Sequence, residues 1–263
     1  MTASGQPVTI CYDAGSGLAD QVGELYMPDG PGPHPVAVLI HGGFWRGTYS
    51  RDLMDDLAVD LANRGWAAWN IEYRRVGAGG GWPMTFEDVA SALDHLVELA
   101  ESHSLDLDRV VTIGHSAGGH LALWAGSRHR IPSGQPGADP RVRPRMVVGQ
   151  AAVSDLVAAA REGIGGSAVP DLMGSSPLEY RDRYAAASPA ALLPAGVTTL
   201  LVHGRDDDLV PLRQSEGYAA VARASGDMVE LHAFGGGHFE HLDPDSDMWG
   251  AVVSRLEVIR WES

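Results

Sequence analysis

Thr112-Ile113-Gly114-His115-Ser116-Ala117-Gly118-Gly119 decides how this chain is read. An apolar run, 110–114, predicts a strand. A helical run follows from Ser116 to about Ser127. A serine set between them must occupy a very tight turn with a strained backbone. Residues two before and two after it crowd neighbouring chain, so Gly114 and Gly118 have to be small. The stretch is G-x-S-x-G in the strand–turn–helix context that gives the pattern its meaning. Such a turn lifts the serine hydroxyl clear of the sheet and sets the Ala117 N–H beside it.

Working outward, short β-branched runs alternate with helical spacing. Strands are expected at 22–27, 35–40, 66–71, 146–153, 197–203 and 228–234. Helices are expected at 51–64, 85–100, 214–224 and 247–261. Leu53, Leu57 and Leu61 share one face of the first helix, and Gly65 stops it. Val89, Leu93, Leu96 and Val97 form the stripe of the second. This alternation predicts an α/β fold: a mainly parallel sheet with helices on both faces and an antiparallel edge from the first strands. Two stretches break it. Residues 130–144 are rich in Pro, Gly and Arg and read as a surface loop. Residues 155–196 are too long for an ordinary connection. They read as a small helical cap inserted in a single domain, 1–263.

Totals narrow the function. The chain has 263 residues, 44% of them hydrophobic and 20% charged, with a net charge of −15. That excess of negative charge opposes binding to nucleic acid or to an anionic membrane surface. Cys11 is the single cysteine, which excludes an intrachain disulfide and fits a reducing compartment. The first 20 residues lack a basic start followed by an apolar run, and no apolar stretch approaches the ~20 residues needed to span a bilayer. A cytoplasmic protein is expected, and a homodimer is compatible with the sequence.

A serine hydroxyl needs a base, and the base needs an orienting acid. Two loops at the C-terminal ends of late strands can supply them, which is where open α/β sheets place their sites. The first reads Gly204-Arg205-Asp206-Asp207-Asp208-Leu209-Val210-Pro211. Three adjacent aspartates compete there, with Asp155 behind the preceding strand as a further alternative. The second reads Gly235-Gly236-Gly237-His238-Phe239-Glu240-His241. Its glycine run suits a loop carrying His238 over the sheet edge, ahead of His241. Of the other histidines, His203 and His232 lie in strands and read as structural, and His120 lies on the helix after Ser116. No second cluster has metal-ligand spacing, so no metal is expected.

With these residues in place, the chain resembles the α/β-hydrolase superfamily, in its esterase/lipase group, from about Val22 to the end. It is most similar to the kynurenine formamidase-like (arylformamidase-like) branch. The oxyanion motif of that branch, H-G-G-x-W, matches His41-Gly42-Gly43-Phe44-Trp45. Glu72-Tyr73-Arg74-Arg75 and Trp82-Pro83 are also typical of it. The family pattern G-x-x-D-x-x-V-P selects Asp207, and G-G-H selects His238. The resemblance therefore implies a Ser116–Asp207–His238 triad, with an oxyanion hole from the N–H groups of Gly43, Phe44 and Ala117. Trp45, Trp82 and Phe239 would wall a small acyl or aryl pocket, together with His115 at the variable position of the turn. The implied reaction is hydrolysis of a small ester or an N-formyl arylamide through an acyl-enzyme, without a cofactor. The alternative is a general carboxylesterase or deacetylase acting on small acyl esters. A small-molecule-binding protein on the same fold is the rival from another class. An unperturbed histidine titrates near ~6.5, so activity is expected to fall on the acid side of neutrality.

Overall fold

The run 35–40 is apolar without alternation, as a strand buried on both faces requires. In the computed structural model, which describes residues 6–13 and 20–261, every residue of this strand is buried. It is β3 (His34–Ile40) of an eight-stranded sheet. The others are β1 (Val8–Cys11), β2 (Val22–Tyr26), β4 (Ala67–Ile71), β5 (Leu105–His115), β6 (Met146–Gln150), β7 (Thr198–Gly204) and β8 (Val229–Phe234). Their order is β1-β2-β4-β3-β5-β6-β7-β8. The pairs β1–β2 and β2–β4 are antiparallel and the rest are parallel.

Alternate residues of β3 divide between two cores. Val36, Val38 and Ile40 face the side covered by α2 (Met84–Asp94), α3 (Leu96–His103) and α4 (Ala117–Ser127), where Phe86, Leu93, Leu121 and Trp124 are buried. Ala37 and Leu39 face α1 (Asp55–Asn63) and α9 (Asp247–Trp261), where Leu57, Leu61, Trp249 and Val252 are buried. The remaining long helix, α8 (Arg213–Ala224), packs on β7 and β8.

The structure adjusts several expected boundaries. β1 is an additional edge strand, with Cys11 exposed on it. The helix expected over 85–100 breaks at His95 into α2 and α3. The strand expected over 146–153 stops at Gln150, because Ala151 turns into the left-handed region at φ 47°. Residues 155–196 carry α5 (Leu156–Glu162), α6 (Ala168–Met173), α7 (Arg181–Ala187) and a 3₁₀ turn, Pro189–Leu192. Asp155 caps α5 by accepting from the N–H groups of Val157 and Ala158 at 2.9 and 3.0 Å. Among the described residues, no helix is long and apolar enough to cross a membrane.

The parallel strands β3, β5, β7 and β8 all end at one edge of the sheet. Their last residues are Ile40, His115, Gly204 and Phe234, and each leads into one of the loops singled out above.

Candidate active site

Ser116 sits between β5 and α4 with φ 58° and ψ −117°, a conformation L-residues rarely adopt. The surroundings hold it there. Its N–H donates to the Gln150 carbonyl at 2.7 Å, and its own carbonyl accepts from His120 N at 3.0 Å. The flanking glycines are sterically required. A Cβ on Gly114 would fall on the Gly118 carbonyl, and one on Gly118 would fall on the carbonyls of Ile40 and His41. Ala117 is the first residue of α4, so its N–H has no partner within the helix.

Among the competing acids, the structure separates Asp207 from its neighbours. Its side chain is wholly buried, and Oδ2 lies 2.7 Å from His238 Nδ1. Oδ1 accepts from the N–H groups of Leu209 and Val210 at 2.9 and 2.8 Å. Burial alone would raise this carboxyl. The hydrogen bonds from His203, His238 and the Val210 N–H outweigh it and hold Asp207 far below the usual carboxylate range. Asp206 is exposed and instead accepts from Gly236 N at 3.1 Å, tying the acid loop to the histidine loop. A side chain on Gly204 would strike the carbonyls of Gly236 and Gly237, so the two loops can cross only over a glycine. Asp155, the other alternative, is occupied as the cap of α5.

His238 is nearly buried. A carboxylate only accepts, so Nδ1 carries the proton shared with Asp207, and Nε2 is left to receive one. The His238 carbonyl is held by His115 Nε2 at 2.8 Å, and the two rings lie 4.6 Å apart. Burial, then the neighbouring His238 and His241, drive His115 well below the ordinary histidine range. His241 is fully buried, and neither ring nitrogen has a hydrogen-bond partner among the described residues. Burial, with His203 and His238 nearby, lowers it to about 3. No group of three or more potential ligands placed to hold a metal occurs among the described residues.

The loop after β3 has three successive left-handed residues: Gly43 at φ 108°, Phe44 at 51° and Trp45 at 57°. Only the first is a glycine, and left-handed backbone costs an L-residue roughly 1–2 kcal/mol. Arg46 N donates to the Gly43 carbonyl at 3.0 Å and closes the turn. Neither the Gly43 nor the Phe44 N–H has an acceptor among the described residues. The loop is fastened at its root by His41, fully buried and stacked 4.4 Å from Tyr73. His41 Nε2 lies 2.8 Å from Glu72 Oε1, and the Tyr73 hydroxyl donates to the His41 carbonyl at 2.9 Å. Burial would raise Glu72, but His41, the Tyr73 N–H and Arg75 overcome it and lower the carboxyl.

These loops enclose a cleft of ≈ 160 Å³ lined by Gly43, Phe44, Tyr49, Leu53, His115, Ser116, Leu209, His238 and Phe239. Ser116, His238, His115, Phe239, Gly43 and Phe44 thus meet there, with Asp207 behind His238 and Ala117 beside Ser116. Trp45 and Trp82, expected at the substrate, lie outside it. Trp45 is fully buried, its ring edge-on to His120 at 5.2 Å. Trp82 packs its ring against Phe86 at 5.1 Å, and its main-chain N–H donates to the Leu172 carbonyl at 2.7 Å. Large rings gain most from burial, and Trp45 is drawn wholly under its loop while Trp82 is partly buried against the core. Residues 155–196, expected as a cap insertion, do not line the cleft; they touch it through Phe44, whose ring packs on Gly165.

The structure adds residues that sequence did not single out. Tyr49, Leu209 and the expected Phe239 form an apolar rim, 42%, 38% and 47% exposed. An apolar side chain on a loop next to the motifs was the signal available for them. His203 sits behind the acid, with Nε2 2.8 Å from the Val210 carbonyl and 3.4 Å from Asp207 Oδ2. Its place at the end of β7, four residues before Asp207, was the clue.

Comparison with known proteins agrees with this architecture. A truncated carbohydrate esterase from gut microbiota superposes with a TM-score of 0.87 at 20% identity, over 99% of this chain and 98% of that one. Esterase B from Lactobacillus rhamnosis, inhibited by a tributyrin phosphonate, gives 0.82 at 19% identity, over 97% and 86%. These likenesses show the α/β-hydrolase fold. In sequence, the chain is 31% identical to the probable carboxylic ester hydrolase LipM of Mycobacterium tuberculosis over 209 residues, 73% of this chain and 46% of that protein. It is 29% identical to esterase LipQ of the same organism over 200 residues, again 73% and 46%. It therefore spans about half the length of these relatives. The family model BD-FAE matches residues 24–221, a span that holds the loop after β3, the Ser116 turn and Asp207, and this chain belongs to that family.

Proposed function

We propose that the protein is a serine carboxylesterase acting on esters of small acyl groups. The observation that carries this reading is the meeting of Ser116, His238 and two unpaired loop amides around one small cleft. Ser116 Oγ attacks the ester carbonyl while His238 Nε2 takes its proton. Asp207 holds the imidazole by Nδ1 and stabilises the imidazolium. The N–H groups of Gly43, Phe44 and Ala117 receive the oxyanion. The C–O bond then breaks, the alcohol leaves with the proton from His238, and water clears the acyl-enzyme by the same steps in reverse roles.

The esterase names carried by LipM and LipQ support this reading over the formamidase branch suggested by H-G-G-x-W. The cleft is small, ≈ 160 Å³, with an apolar rim, which suits short acyl groups. The test compares kcat/KM for p-nitrophenyl acetate, butyrate and octanoate and for N-formylkynurenine, with wild type and Ser116→Ala in parallel. Short-ester turnover lost in the variant is expected. A formamide strongly preferred over every ester would return the protein to the formamidase branch. Turnover that survives Ser116→Ala would sink the serine mechanism.

A further inference from the structure

The strained turn at Gly43, Phe44 and Trp45 needs something rigid to hold it, and the structure provides one fixture that the reaction itself does not use. Trp45 is fully buried and donates Nε1–H to His120 Nδ1 at 3.2 Å. His120 is also fully buried and lies one helical turn beyond Ser116 on α4. Its other nitrogen, Nε2, is 2.9 Å from the carbonyl of Ala187, at the end of α7 in the insertion. A carbonyl can only accept, so Nε2 carries the proton and Nδ1 presents a lone pair to the indole. Burial keeps the ring neutral, lowering it to about 4, which preserves this polarity. The insertion thus fixes the tautomer, the tautomer fixes Trp45, and Trp45 is the last left-handed residue of the loop.

We propose that Trp45 and His120 are positioning residues whose mutual hydrogen bond holds the loop amides of Gly43 and Phe44 in register with Ser116. Neither side chain lines the cleft. The bond joins the loop to the same helix whose first turn carries the serine and the Ala117 amide, so donors and nucleophile share one frame. The inference rests on the serine-hydrolase reading above. It differs from a packing role, which would lower stability and leave the folded enzyme's kcat alone.

Steady-state kinetics with p-nitrophenyl acetate test it in wild type, Trp45→Phe, His120→Leu, the double variant and His120→Asn, each checked for folding by thermal melting. Trp45→Phe keeps a buried ring and removes only the donor, so it carries the test should His120→Leu fail to fold. Each single variant is expected to lower kcat about 10- to 100-fold, as a displaced rather than absent donor does, with KM changed less than about twofold. The double variant should be no slower than the slower single one, since both remove the same bond. His120→Asn places an acceptor near the position of Nδ1 and should recover most of kcat over His120→Leu. Lowered melting temperatures with wild-type kcat, or two single losses that multiply in the double variant, would overturn the proposal. A wild type that neither turns over ester nor labels with a fluorophosphonate would overturn the serine mechanism itself, a separate and recognisable failure.

Discussion

Acid should begin to destabilise this protein above the range where its carboxylates titrate. His115, His120 and His241 are buried, and burial holds all three neutral: His120 at about 4, His241 at about 3 and His115 well below its ordinary value. In the unfolded chain each would titrate near ~6.5. Below that pH the unfolded state binds protons that the folded state refuses, so stability is complete above ~6.5 and declines as pH falls towards the folded values. Near pH 5 the difference approaches three protons, a slope of about 4 kcal/mol per pH unit. From pH 6.5 to 5 each histidine costs about 1.6 kcal/mol, or about 5 for the three, against a typical total of roughly 5–15. Asp207 and Glu72, both depressed, add their losses only below about pH 4. Urea midpoints at pH 7.5, 6.5, 5.5 and 5.0 measure the slope. His241→Leu removes one titrating ring that has no hydrogen bond to lose among the described residues, so it should reduce the slope by about 1.4 kcal/mol per unit. Stability that stays flat between pH 7 and 5, or a slope untouched by His241→Leu, would refute the argument.

Three further outcomes are expected. Asp207→Asn should lower kcat about 10⁴-fold by freeing the wrong imidazole tautomer, whereas Asp155→Ala should leave kcat intact and cost about 1 kcal/mol in a denaturant titration through loss of a helix cap; equal kinetic losses would contradict the assignment of the acid. Gly118→Ala drives a Cβ into the main-chain carbonyls of Ile40 and His41, which cannot move aside as a side chain could, so a destabilisation of roughly 1–3 kcal/mol or more should appear in thermal melts. Phe239→Ala removes one ring from the exposed rim and should raise KM for butyrate more than kcat changes, because the rim binds ground and transition states alike; a fall in kcat at constant KM would place Phe239 in the chemistry instead.

The sheet, its antiparallel edge and the edge where the site forms were legible because they depend on local pattern and on chain order. Gly114 and Gly118 were legible for the same reason, since a serine on a tight turn dictates its own neighbours. Side-chain direction was not. Trp45 and Trp82 stand beside motif residues in sequence, yet the left-handed turn at 43–45 drops the first ring beneath the loop and the second packs against Phe86. Tyr49 and Leu209 reach the cleft from loops whose path no periodicity predicts, and Leu53, expected on the apolar face of the first helix, instead lies in a 3₁₀ turn, Arg51–Met54, that brings it to the cleft. Choosing among Asp206, Asp207 and Asp208 likewise needs the tertiary fold, which buries one side chain and leaves its neighbours in water. β1 escaped because it is only four residues long and exposed apart from Ile10, which is too short a run for periodicity to mark.

The attachment of the insertion has a consequence for how such a protein can change over generations. His120 and Trp124, both on the helix that starts beside Ser116, donate to the carbonyls of Ala187 and Ala186 at 2.9 and 3.0 Å. Those acceptors belong to the main chain, so they exist whatever residue is encoded there. Ala186 is half-buried and Ala187 buried, so size is constrained at the second position but chemical identity is not demanded at either. The exposed positions of the segment can therefore drift in sequence around its buried residues, such as Leu172 and Tyr184, while its attachment to the helix that starts beside Ser116 is kept by the main chain.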